Sequence, residues 1–262
     1  MPHPSLPCRI LLYVALLAVV ATFSTHAAQE SGASPAAIKA GESYLRALES
    51  AGAAYAVGQN SLALDKLDLA DQIRPNIPDT WNMRGAIYAE QHDFARAQAA
   101  FEKSARLNPD DFWPQYNLAE LLLMQKKYPE AVAGFQKLAV YQGHDELVAF
   151  KIVFADLLQG KPDAAKPVLD AMKFPCDTAA YYYAHAAWAF AHKDEKEGNY
   201  WSNAGIKVFG AGHCLSFYDA LVQVGWLPMR NTDGSIPEHT ELSTLPAATP
   251  SLDVLPPAAG LR

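Results

Sequence analysis

Shifted by 34 residues, the chain lines up with itself. Ala63, Ala97, Ala131 and Ala165 fall at equal intervals. Leu67, Phe101, Phe135 and Leu169 follow, each four places later, and Ala51, Gly85, Ala119 and Val153 form a third set. A fourth set, Pro75 and Pro109, lapses to Gly143 and Asp177. Registers kept without an insertion describe a chain built from one supersecondary unit, copied and stacked, because a single copy cannot bury its own apolar face.

The residue types say what the unit is. A small residue on one helix lets a second helix approach closely. An alanine on that second helix sits where the two touch, and the large residue four places on fills the gap beyond. Proline stops the second helix, since it cannot continue the hydrogen-bond ladder. Half of the 262 residues are apolar, enough for a continuous core.

The residues Pro78, Trp81, Gly85, Tyr88, Ala97, Phe101 and Pro109 give residues 78–111 a pattern that closely resembles the tetratricopeptide repeat. Residues 112–145 keep Leu118, Ala119, Leu122, Tyr128, Ala131 and Phe135. Residues 44–77 and 146–177 keep less of it, with Asp156 where an aromatic is usual. A degenerate fifth pair is expected around Tyr181, Ala184, Trp188, Trp201 and Ala204, its register slipped by about two residues, and a capping helix over Leu215–Trp226, ended by Pro228. The resemblance implies an all-α, right-handed solenoid of about five helix-turn-helix repeats plus that terminal helix.

The ends read differently. Arg9 is followed by an uncharged run, Ile10–Phe23, of 14 residues, then by Thr25 and Ala27 at signal-peptidase spacing. Residues 1–27 are read as a secretory signal cleaved after Ala27, residues 28–43 as linker and start of the first helix, and 44–228 as the solenoid. Residues 229–262, with five prolines from Arg230 onward, are read as a disordered tail. The run is short for a permanent membrane anchor, so the expected destination is a periplasm or the extracellular space. There Cys176 and Cys214, flanking the fifth pair, are a possible disulfide, with a chain-entropy gain of about 4 kcal/mol.

Catalytic signatures are absent from the sequence. No glycine-flanked serine elbow, phosphate-cradling loop or paired histidine–glutamate helix motif occurs. Asp110 and Asp111 fall where they would cap a helix. His185 and His192 are seven residues apart, too far for a tight zinc pair, and His185 reads as a packing residue. Neither metal nor cofactor is expected. A net charge of −7 without basic clusters argues against nucleic acid.

The resemblance implies instead a binding groove lined by the first helix of each repeat. Its positions carry over to Asp79, Asn82, Ala86, Ala89 and Glu90 in one repeat and to Trp113, Tyr116, Glu120, Leu123 and Met124 in the next. The aromatics and methionine would face solvent there and mark a contact surface for a protein or peptide. Two other uses stay open: Trp113 covering the edge of the preceding repeat, and a groove filled by the tail. The family's carboxylate-clamping mode lacks its cations here; acids at Asp79, Glu90 and Glu120 suit a neutral or basic ligand. A self-associating or tethering envelope component is the alternative to an adaptor.

Overall fold

The computed structural model describes residues 34–231 and 233–237. The expected signal, residues 1–27, and the tail beyond Pro237 lie outside them. The described residues form eleven α-helices and one 3-10 turn, with no strand among them. In chain order these are α1 Pro35–Ala56, α2 Asn60–Ile73, α3 Pro78–Glu90, α4 Phe94–Leu107, α5 Phe112–Met124, α6 Tyr128–Lys137, α7 Asp145–Leu158, α8 Pro162–Ala171, α9 Ala180–Ala191, α10 Glu195–Phe209 and α11 Ala211–Gln223. Side chains close several helix starts. Ser34 accepts from the Ala37 amide, Asp93 from Arg96, Asp111 from Trp113 and Asp194 from Glu197.

The helices of a pair are joined by three residues, and the middle one is always left-handed. It is Gly58, His92, Lys126, Gly160 and Lys193 in turn, with φ between 59° and 76°. The intervals are 34, 34, 34 and 33, so the fifth pair has slipped by one residue, not the expected two. Counted from its turn, Gly198 takes the place of the conserved-register alanines, and Ser202 takes the place of the large residue.

The described residues divide into two compact units, parting after Gln125. In the first, Tyr44, Leu48, Ala51 and Tyr55 of α1 pack with Ala63, Leu67 and Ala70 of α2 and with Met83 and Ile87 of α3. A second cluster joins Ala86 and Ala89 of α3, Ala97 and Phe101 of α4, and Leu121 of α5. Gly85 explains the close α3–α4 approach: a Cβ there would fall 2.5 Å from the Phe101 ring. Ser104 adds a bond from α4 to the Pro78 carbonyl, 2.8 Å.

In the second unit the Phe217 ring of α11 meets Phe150 of α7 edge-on at 5.1 Å and stacks on Tyr183 of α9 at 5.8 Å. The longest connection, residues 172–179, is tied down by Glu146 in the first turn of α7. Its carboxylate accepts from the amides of Asp177 and Thr178, each at 2.9 Å, and from the Thr178 hydroxyl. Past Pro228 the chain stays on α11: the Tyr218 hydroxyl donates to the Pro228 carbonyl, and Arg230 pairs with Asp219 at 3.0 Å.

The cysteine expectation is corrected here. Both Cys176 and Cys214 are free thiols. A second helix ending before Cys214 would have placed it near Cys176, but α10 already stops at Phe209. Gly210 (φ 79°) then turns the chain, and α11 starts at Ala211. Cys214 is thus a buried residue of the first turn of α11, its thiol against the Tyr183 hydroxyl. Burial pushes this thiol up to about 12 and Cys176 up to about 11.

Candidate partner-binding site

Helical spacing puts the expected groove residues on two stripes. Asp79, Asn82, Ala86 and Glu90 lie along one face of α3, and Trp113, Tyr116, Glu120, Leu123 and Met124 lie along one face of α5. Both helices belong to the first unit. Trp113 and Met124 are eleven residues apart, so the α5 stripe is about 16 Å long.

Exposure divides the stripes. Asp79, Trp113, Leu123 and Met124 are half-buried. Asn82, Glu90, Tyr116 and Glu120 are buried, contrary to the solvent-facing positions expected for them. Tyr116 is covered because Phe112, one turn earlier, stacks on it at 5.5 Å while Trp113 meets it edge-on at 5.8 Å. One aromatic of the expected pair therefore supports the other. Ala86 and Ala89 are core residues, 2% and 1% exposed, and offer a partner nothing.

Between the stripes runs a polar seam. Asn117 on α5 donates through Nδ2 to Oδ1 of Asn82 on α3, 2.9 Å, with both residues buried. The Asn117 Oδ1 has no hydrogen-bond partner. One turn before Asn82, Asp79 opens α3. Burial and the nearby Asp111 carboxylate push its carboxyl up to about 6. Behind it, the Tyr44 hydroxyl of α1 meets Thr80 Oγ1 at 3.2 Å. Burial holds that phenol up at about 12. Asn117, Tyr44 and Thr80 were not among the expected site residues. The signal available for Asn117 was a lone amide inside an apolar run, 35 residues after Asn82.

Outside the seam, Trp81 holds two cations: Lys103 Nζ lies 3.6 Å and the Arg84 guanidinium carbon 5.4 Å from its ring centroid. Arg84 also pairs with Asp68 at 2.6 Å. In the second unit His185 is gripped between the rings of Tyr181 and Trp201, at 4.5 and 4.6 Å. Burial lowers its pKa to about 4, as suits a packing residue. His192 Nδ1 lies 2.8 Å from the Trp188 carbonyl and His213 Nδ1 2.9 Å from the Phe209 carbonyl, so each ring meets its own helix. No described helix is long and apolar enough to cross a membrane.

Comparison with known proteins agrees with the repeated helix pairs. Tetratricopeptide repeat protein 37 of Xenopus laevis is 29% identical over 87 residues, which are 33% of this chain and 6% of that protein. Superkiller complex protein 3 of Mus musculus is 26% identical over 114 residues, 40% of this chain and 7% of that one. The chain thus spans less than a tenth of the length of these relatives. Residues 88–151, which hold the end of α3, all of α4 to α6 and the start of α7, match the tetratricopeptide repeat family.

Proposed function

We propose that this protein is a non-catalytic adaptor that binds a protein or peptide segment along the α3 and α5 stripes. The observation that carries the reading is the half-exposed apolar surface at both ends of α5, Trp113 at its start and Leu123 with Met124 at its end, with buried acceptors between them. Apolar anchors flanking a polar centre are what an extended segment of about five residues would meet over 16 Å. The matched repeat family, and a relative named as a complex protein, favour protein contact over chemistry.

The test is site-specific photo-cross-linking in the native host. A benzophenone side chain replaces Trp113 or Leu123, and a control replaces the exposed Gln98 on α4. Adducts of one defined mass at the first two positions and not at the third support the reading. Equal labelling at all three, or none, rejects it. We further propose that residues 1–27 direct export, with cleavage after Ala27. N-terminal sequencing of the protein recovered from the host would show a chain beginning at Ala28, and an intact Met1 in that fraction overturns it.

A further inference from the structure

We propose that the seam between α3 and α5 receives an arginine side chain of the bound partner, its guanidinium meeting Asp79 and the Asn82–Asn117 amide pair. This rests on the partner-binding reading above and specifies what that partner must carry. Three observations fall within two turns of the starts of α3 and α5. Asp79 is a half-buried carboxylate with no ion pair among the described residues. Asp111, committed to capping α5, adds a second negative charge close to it. Asn117, 2% exposed and bonded to Asn82, keeps an acceptor oxygen without a partner. Acceptors are in excess, and a buried acceptor left unmet is unfavourable.

A guanidinium fits this deficit. It carries five donors in a planar fork, can meet two acceptors at once, and sheds water more easily than an ammonium. A carboxylate or phosphate would meet the like charges of Asp79 and Asp111. Asp111 and the Tyr44 phenol of α1 lie near Asp79, and Asp71 and Arg74, at the end of α2, lie near that phenol. Arg74 lies over the Tyr44 ring, 5.8 Å from its centroid, and forms no ion pair with Asp79. Because the seam needs an ionised Asp79, binding should strengthen as pH rises from 5 to 7.

The experiment titrates the purified protein with an acetylated, amidated nine-residue peptide of glycine, alanine and serine around a central arginine. The control peptide carries citrulline, which keeps the shape and removes the charge. Calorimetry and the side-chain amide signals of Asn82 and Asn117 are read together. The expected result is saturable binding that moves both amide signals and weakens about tenfold or more with citrulline, with Asp79→Asn, and below pH 5. Asp79→Asn is checked by its melting temperature, and Asn117→Ala serves as a second variant. Absence of binding, equal affinity for the two peptides, or unmoved amide signals overturns the proposal. The cross-linking above keeps the two readings apart. Unchanged adducts in Asp79→Asn leave the partner face standing and remove the arginine, whereas a titrated seam without adducts does the reverse.

Discussion

The second and fifth helix pairs solve one packing problem in opposite ways. In the second, α3 gives up a side chain at Gly85 and α4 fills the space with Phe101. The register equivalents in the fifth pair are Ala186 and Ser202, neither of which can fill much. There the bulk comes from the other helix. Phe190 of α9 lies over Gly198 of α10, where a Cβ would fall 2.6 Å from its ring. The equivalents of these two in the second pair are Ala89 and Ala97. One large and one absent side chain keep the helices close in each case, with donor and acceptor exchanged. What is preserved along the chain is the volume between helices, not the residue at a given register position.

The largest test of this comparison removes the bulk. Phe101→Ala should cost about 4 kcal/mol, measured by denaturant unfolding. Its register equivalent, Ser202→Ala, forfeits only a hydrogen bond to the Asn199 carbonyl and should cost about 1 kcal/mol. Similar losses would mean that the pairs pack alike after all. Next come the contact points. Gly85→Ala and Gly198→Ala should each cost about 2 kcal/mol through overpacking. Phe101→Leu should recover part of the first loss and Phe190→Leu part of the second, but the crossed combinations should simply add.

Acid should then drive the two regions apart. The carboxyl of Asp79 is raised from 3.8 to about 6, so its stabilising contribution is complete below pH 4 and is lost as pH climbs through 6. The imidazole of His185 is lowered from 6.5 to about 4, so its contribution is complete above pH 6.5 and is lost as pH falls toward 4. Each is on the order of 3 kcal/mol. Amide hydrogen exchange corrected for intrinsic rates should show α3 more protected at pH 4.5 than at 7, and α9 less. Parallel responses in the two helices would refute the assignment.

The smallest effect concerns the turns. Lys193, like His92 and Lys126, holds a left-handed conformation that glycine adopts without strain, as Gly58 and Gly160 do. Lys193→Gly should raise stability by about 1 kcal/mol and Gly160→Ala should lower it by a similar amount, both visible as shifts in melting temperature.

Periodicity made the fold legible. Small and large residues at fixed offsets, with proline after them, are enough to place helices α1 to α8, because contact between helices depends on side-chain size at known spacing. The fifth pair was harder for the same reason. Its bulk has changed helices, so the pattern is broken although the packing is not, and the slip is one residue where the pattern suggests two. Cys214 escapes the same pattern, since Gly210 leads into a new helix that no size pattern announces. The candidate site was legible by position only. Offsets give the face on which Tyr116 or Glu120 lies, but a neighbour such as Phe112 decides whether that face is reached by water. Asn117 stayed hidden because its role comes from Asn82 on another helix.

Glu146 has a consequence for how the second unit comes apart. Chains of stacked repeats unravel from their ends, since each repeat touches only its neighbours. Here one carboxylate in the first turn of α7 holds the backbone of Asp177 and Thr178, 31 and 32 residues away. Fraying of the last pair cannot pass residue 178 without stripping that carboxylate of its donors, so this contact couples the start of α7 to the connection before α9. Trimming the chain after α8 would expose an acid left without those donors, and a cut before α7 is the better place to divide it.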